Sequence, residues 1–221
     1  MYKISDLFDL SHSLAADYLR GFTYPHEALK GIKEFIRALG ATLPADEYDH
    51  PRETVWIAKD AKVFPSAYIG DDVIIGHRTE VRQCAFIRGS ALVGCDAVIG
   101  NSTELKNVII FDNCQVPHYN YVGDSILGYH AHMGAGAVTS NVKGDRTPVK
   151  LRDGSEVMET GLKKMGAMLG DWAEIGCNTV LNPGTVVGRH TNIYPVSCVR
   201  GVIPAGSIYK DAEHIVLKKD E

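Results

Sequence analysis

An aliphatic residue recurs at every sixth position along much of the chain. The first run of this ladder comprises Ile57, Val63, Ile69, Ile75, Val81, Ile87, Val93, Ile99 and Leu105. Neither the period of an α-helix, about 3.6 residues, nor the two-residue alternation of a simple strand produces such a ladder. The pattern is a hexapeptide repeat.

Small residues occupy a second fixed position, four places after each aliphatic residue. They are Ala61, Ala67, Val73, Thr79, Ala85, Ala91, Ala97 and Thr103. Glycine often follows the aliphatic residue directly, as at Gly70, Gly76, Gly94 and Gly100. A large residue, a turn-permissive glycine and a small inward residue on this period describe one flat face of a triangular solenoid, in which three hexads close a coil. The prediction is an all-β fold, a parallel β-helix.

The ladder slips by one residue at Ile110 and again at Leu127, and it continues to Met133. A second ladder consists of Leu169, Ile175, Leu181, Val187, Ile193 and Val199. Its small positions are Ala173, Thr179, Thr185, Thr191 and Ser197. The two ladders together predict one β-helix domain over residues 51–221, with a C-terminal tail from about residue 204.

Two segments lack the repeat. Residues 1–50 are predicted to be a short helical segment that caps the open end of the solenoid, because its first coil would otherwise expose an apolar core and unpaired strand edges. The leucines Leu7, Leu10 and Leu14 indicate one helix, and the apolar residues Leu29, Ile32, Ile36 and Leu39 indicate a second. Residues 142–168 form an insertion loop, in which the turn signal Asp153-Gly154 predicts a hairpin.

Composition narrows the function classes. A formal net charge of −4 gives no indication of a nucleic-acid or anionic-membrane partner. The opening MYKISDLFDL carries acidic residues where a signal peptide needs an apolar run, so a cytoplasmic location is expected. The five cysteines form no CxxC pair and are expected to be reduced.

The densest cluster of polar and aromatic residues in the repeat lies around the two slips. It comprises Glu104, Lys106, His118, Asn120, Tyr121, His130, His132 and Asn141. A regular solenoid has no structural need for these side chains, and irregularity in a regular scaffold is where function is expected.

Four stretches carry a resemblance to a known family: IRGSALVGCDAVIGNSTELKN, HYNYVGDSILG, MGAGAVTSN and TGLKKMGAMLGD. They resemble the acetyltransferase half of bifunctional bacterial UDP-N-acetylglucosamine pyrophosphorylase/glucosamine-1-phosphate N-acetyltransferases. The last stretch is closer to the archaeal sugar-phosphate nucleotidylyltransferases that carry an amino-sugar-phosphate acetyltransferase domain. The resemblance covers roughly residues 85–200. It implies a left-handed β-helix, a homotrimer, acetyl-CoA as co-substrate without a metal, and N-acetylation of an amino sugar phosphate.

The resemblance also implies roles for individual residues. His118 matches the general base, and imidazole titrates in the right range to deprotonate a sugar amine. Glu104 and Asn141 complete the implied catalytic set, and Asn141 also lies close to the acetyl group. The implied sugar-phosphate contacts are Arg88, Lys106, Tyr121 and, in the insertion, Lys150. The implied acetyl-CoA contacts are Ala135, Cys177 and Pro195. Arg88 and Lys106 are 18 residues apart, so they are expected to lie one above the other on one face.

Departures from the family pattern affect the sugar pocket. His132 stands at the position of a substrate-binding asparagine, and Val142 replaces an aromatic or polar residue. Only about 50 residues precede the repeat, without a Gly-rich nucleotide-binding loop, so uridylyltransferase activity is expected to be absent.

Two other functions stay open at this point. A non-catalytic regulatory or scaffold homologue would account for the altered His132 and Val142. A zinc enzyme similar to γ-class carbonic anhydrases would use histidines such as His77, His118, His130 and His132, although their spacing does not fit that family.

Overall fold

The computed structural model describes residues 1–219 and consists mostly of short parallel strands. One twelve-stranded sheet contains β1 (Tyr48–Arg52), β2 (Val55–Ala58), β4 (Tyr68–Ile75), β6 (Phe86–Val93), β8 (Glu104–Ile110), β10 (Tyr121–Leu127), β12 (Val138–Thr139), β15 (Ala167–Leu169), β17 (Val180–Leu181), β18 (Thr185–Val187), β20 (Cys198–Val199) and β21 (Val202–Ile203). A nine-stranded sheet contains β3 (Lys62–Val63), β5 (Glu80–Val81), β7 (Val98–Asn101), β9 (Gln115–His118), β11 (His132–Met133), β16 (Glu174–Ile175), β19 (Asn192–Ile193), β22 (Ser207–Tyr209) and β23 (Ile215–Leu217). A separate hairpin consists of β13 (Lys150–Asp153) and β14 (Glu156–Glu159).

The aliphatic ladder forms the core of the solenoid. Strands of successive coils pair in parallel, so that Ile75 lies opposite Val93 and Ile87 opposite Leu105. From Ile75 onward the ladder residues are buried, and the small positions such as Thr103 are buried with them. The predicted parallel β-helix with a short helical N-terminal segment is confirmed.

The glycines after the ladder residues allow the coils to approach closely. A Cβ atom at Gly100 would lie 1.6 Å from the carbonyl oxygen of Pro117, in the next coil. At Gly76 a Cβ atom would lie 2.6 Å from the backbone of Gly94. Only glycine fits such positions without moving the backbone.

The first slip of the ladder corresponds to an irregular pairing of β6 with β8. Ile87 pairs with Leu105, but Gly89 pairs with Lys106, so Arg88 is an extra residue between two paired positions. The bulge shortens the next coil by one residue. Bulges of this kind often occur next to functional sites, where they redirect a side chain.

The N-terminal segment is less helical than predicted. It contains α1 (Ile4–Leu7), α2 (Ala16–Arg20) and α3 (Ile32–Gly40), with 3₁₀ turns at Leu10–His12 and Pro25–Gly31. The prediction of one helix through Leu7, Leu10 and Leu14 is wrong. Phe8 is extended, and the backbone N–H of Asp9 donates to the Asp171 carboxylate at 2.7 Å, in a coil far along the chain. The Asp9 carboxylate then accepts from Ser11 and starts a separate turn.

The N-terminal segment lies mainly along the side of the solenoid, not over its end. Helix α3 packs against β4, β6 and β8. It and its neighbours cover an outward-facing apolar column that includes Trp56, Ile74, Leu92, Ile109 and Ile126, all of them buried. The predicted capping role fits only β1, which pairs antiparallel with β2 and covers that strand edge.

The predicted hairpin at Asp153-Gly154 is confirmed, since β13 and β14 pair antiparallel around this turn. The solenoid extends past residue 204, where the tail was expected to begin. Ser207–Tyr209 pairs in parallel with the coil below and then turns back antiparallel onto Ile215–Leu217. Within residues 1–219, no helix is long and apolar enough to cross a membrane.

Candidate active site

His118 and the three residues expected to contact acetyl-CoA form one column at a corner of the solenoid. The backbone N–H of Gly136 donates to the carbonyl of His118 at 3.0 Å. Equivalent bonds connect the following coils. The N–H of Asn178 donates to the carbonyl of Ala135 at 2.8 Å, and the N–H of Val196 donates to the carbonyl of Cys177 at 2.8 Å. His118, Ala135, Cys177 and Pro195 are therefore successive positions, one coil apart, with a spacing of about 4.8 Å per coil.

A shallow, largely apolar groove of about 330 Å³ lies beside this column. Its lining includes Cys177, Pro195, Tyr194 and Gly134. His132 also lies here, paired with Glu174 at 2.8 Å. The structure thus places His132 beside the expected acetyl-CoA contacts in the nine-stranded sheet, whereas the polar cluster described below lies in the twelve-stranded sheet.

The backbone N–H of Ala135 donates no hydrogen bond to any residue that the structure describes. It is partly exposed, at the point of the column directly above His118. An unused N–H in this position can donate to an oxyanion that develops on an acyl group.

The imidazole of His118 is exposed and makes no hydrogen bond within residues 1–219. Its backbone is held by the buried Asn120, whose side-chain oxygen accepts from the His118 N–H at 3.0 Å. The Asn120 amide donates to the carbonyls of Gly134 and Ala137, at 2.8 and 2.9 Å. Asn120 therefore fixes the corner that carries the histidine to the coil above it.

The buried carboxylate of Asp124, which sequence reasoning missed, is the centre of the polar cluster. Asp124 is 3% exposed and accepts from the ammonium of Lys106 at 2.8 Å. Its oxygens also accept from the side-chain amides of Asn107 at 2.9 Å and Asn141 at 2.6 Å. A buried carboxylate with three such donors holds them in fixed positions.

Tyr121 and Glu104 complete this cluster. Tyr121 lies directly opposite Glu104 in the sheet, and its hydroxyl accepts from the Asn141 amide at 3.1 Å. Burial raises the pKa of the Tyr121 hydroxyl, and the carboxylates of Asp124 and Glu104 raise it further. The phenol therefore stays protonated and can donate to a substrate oxygen.

Arg88 and Lys106 do not stack as predicted, because of the bulge. Arg88 pairs with Glu104 at 3.1 Å, and Lys106 pairs with Asp124 at 2.8 Å. The two cations nevertheless line one depression of about 290 Å³, together with Lys33 of α3.

Lys150 lies outside this cluster. It pairs with Glu159 across the hairpin at 2.6 Å. It lines a different depression with Arg152 and Arg200. The structure does not bring Lys150 into contact with Asp124 or its partners.

The histidines of the zinc hypothesis are dispersed. His130 stacks on Trp172 with ring centres 3.9 Å apart, and His77 pairs with Asp60 at 2.9 Å. No group of three His, Cys, Asp or Glu side chains suited to a metal occurs in the described part of the chain.

Comparison with known proteins gives relatives that include bifunctional nucleotidylyltransferase/acetyltransferases. No protein-family model matches the chain. It is 30% identical over 156 residues to a bifunctional sugar-1-phosphate nucleotidylyltransferase/acetyltransferase of Sulfurisphaera tokodaii, a match that covers 71% of this chain and 39% of the relative. It is 32% identical over 163 residues to the bifunctional protein GlmU of Methanococcus vannielii, covering 72% of this chain and 34% of the relative.

Similarity to solved structures is weaker. The UDP-N-acetylglucosamine acyltransferase of Francisella novicida aligns with a TM-score of 0.48 and 16% identity, over 73% of this chain and 64% of that chain. The chain spans well under half the length of the two relatives above. The resemblance predicted from the sequence is confirmed: over more than two thirds of its own length the chain is similar to bifunctional sugar-1-phosphate nucleotidylyltransferase/acetyltransferases.

Proposed function

We propose that this protein is an acetyl-CoA-dependent N-acetyltransferase that acts on an amino sugar phosphate, with His118 as general base. The observation that carries the proposal is the column of His118, Ala135, Cys177 and Pro195, one coil apart beside an apolar groove. A pantetheine arm that lies along this groove has its thioester end at Ala135, directly above the His118 imidazole.

The acceptor amine reaches the same point from the Asp124 cluster. His118 and Tyr121 flank a single corner and are three residues apart. The side-chain amide of Asn141 donates both of its hydrogens, one to Tyr121 and one to Asp124. Its side-chain oxygen remains available to accept from a substrate amine. Tyr121 and Glu104 are placed to bind sugar hydroxyls.

The chemical steps follow from these positions. The acceptor reacts as its free amine, after its ammonium proton has passed to solvent. His118 removes a second proton from the amine nitrogen as that nitrogen attacks the thioester carbonyl. The resulting oxyanion accepts from the unused N–H of Ala135. Collapse of the tetrahedral intermediate breaks the carbon–sulfur bond, and the thiolate of CoA takes up the proton carried by His118. Positioning both substrates at one corner supplies much of the rate.

A homotrimer is part of the proposal. At the catalytic corner, Tyr119 is 66% exposed and Val196 is 79% exposed, and both have a left-handed backbone conformation, with φ of 52° and 59°. Such a conformation is strained for a β-branched residue such as Val196. A second subunit packed against this corner would bury both side chains and would close the groove over the acetyl group.

Purified protein is expected to release CoA from acetyl-CoA only when an amino sugar is present. The measurement is thiol release with glucosamine 1-phosphate, other hexosamine phosphates and simple amines, with the N-acetylated product identified by mass spectrometry. Tight acetyl-CoA binding without turnover on any amine would favour a non-catalytic homologue, a possibility raised by the departures from the family pattern at His132 and Val142.

A further inference from the structure

The two cations implied as phosphate ligands are already engaged. Arg88 is paired with Glu104, and the Lys106 ammonium is paired with the buried Asp124. A phosphate group that recruited both would have to break or share these pairs. Lys106 in particular is held by a carboxylate that the surrounding chain fixes in place.

Free cations lie next to Lys106, in a depression of about 420 Å³ that is lined by the N-terminal segment and by Leu162 and Lys164 of the insertion. Four lysines line it: Lys30, Lys33, Lys106 and Lys164. The acids in the lining are Glu34 and Asp124, the latter occupied by its three donors. Lys30 and Lys164 form no ion pair with any residue from 1 to 219, while Lys33 lies 3.9 Å from Asp72.

The depression is continuous with the polar cluster. Asp124, Lys106 and Asn107 line it, and Asp124 also holds Asn141 on its other side. The wall from the N-terminal segment is tied to this point, because the Asn107 amide donates to the carbonyl of Leu29 at 3.2 Å. Lys30 follows Leu29 directly, so its backbone position is fixed relative to Asp124.

We propose that the phosphoryl group of the acceptor binds in this depression, between Lys30 and Lys164. The inference rests on the proposed function and refines it, because the anion is assigned to the N-terminal segment and the insertion and not to Arg88. Lys30 belongs to the N-terminal segment and Lys164 to the insertion, and two unpaired ammonium groups satisfy a phosphate dianion without breaking an existing pair. An acceptor anchored there has its sugar over Asp124 and its amine towards Asn141 and His118.

The test compares the double variant Lys30→Ala/Lys164→Ala with Lys163→Ala, which removes the neighbouring exposed lysine that lies outside the depression. Binding of glucosamine 1-phosphate, UDP-glucosamine and free glucosamine is measured by calorimetry on the full chain. The double variant is expected to bind both phosphorylated sugars at least about tenfold more weakly, with glucosamine unaffected. A loss for only one of them identifies a monophosphate or a diphosphate as the occupant.

Kinetics separate this inference from the proposed function. In the double variant the KM for the phosphorylated sugar is expected to rise while the KM for acetyl-CoA stays unchanged. Wild-type affinity for both sugar phosphates in the double variant, or an equal loss in Lys163→Ala, would overturn the inference even if acetyl transfer is observed. Weakened phosphate binding in a protein without acetyl transfer would keep the anion site and refute the proposed function.

Discussion

Replacement of His118 by alanine is expected to lower kcat by at least about a hundredfold with little change in stability. General-base catalysis contributes roughly 10² to 10⁴ in rate, and the variant removes the only group proposed for that role. The imidazole is exposed and makes no hydrogen bond in the described chain, so the fold does not depend on it. The measurement is steady-state thiol release at saturating acetyl-CoA, with thermal unfolding of both proteins.

His190→Ala is the control, since His190 is another exposed histidine and lies outside the column. It is expected to keep wild-type kcat. Equal activity of His118→Ala and wild type would rule out His118 as the base. A loss in His118→Ala that follows from unfolding would be visible in the thermal midpoint.

Replacement of Asp124 by alanine is expected to cost about 3 kcal/mol or more of the free energy of unfolding, together with activity. Asp124 is buried and accepts from Lys106, Asn107 and Asn141, so its loss leaves a partly buried ammonium and two amides without their acceptor. Urea denaturation measures the change as a lower midpoint at constant slope.

Two further variants isolate the cause. Asp71→Ala removes a carboxylate of 72% side-chain exposure that lies 3.4 Å from Arg52, and it is expected to change stability by less than about 1 kcal/mol. Asp124→Asn keeps an acceptor oxygen but removes the charge, so it is expected to fall between the two. A stable, fully active Asp124→Ala protein would show that this carboxylate does not organise the site.

The ladder predicted the solenoid because an inward aliphatic residue in each hexad is a strict packing requirement. The sequence also contains a pattern that indicates the lateral position of the N-terminal segment. It lies in the outward-facing residues, whereas the prediction used only the inward-facing ones. The residue before every third ladder residue is apolar, at Trp56, Ile74, Leu92, Ile109, Ile126, Met168 and Val186. These residues point outward and need a cover, and α3 and its neighbours lie over the earlier ones.

The candidate site was only partly predictable. The column of His118, Ala135, Cys177 and Pro195 follows from coil length once the ladder is aligned. The relative positions of Arg88 and Lys106 could not be obtained from their 18-residue spacing, because the bulge at Arg88 shifts the register of β6 against β8. Asp124 was missed because its role depends on donors from the two neighbouring coils, Lys106 and Asn107 from one and Asn141 from the other, which converge only in the fold.

The most direct test of the account is a crystal structure of the protein with CoA and glucosamine 1-phosphate. The account predicts that the pantetheine arm runs past Pro195 and Cys177, with the thiol beside the Ala135 N–H and within reach of the His118 imidazole. It also predicts that the sugar amine lies between Asn141 and His118. A CoA thiol bound away from this column, or a sugar amine beyond the reach of His118, would contradict the central claim.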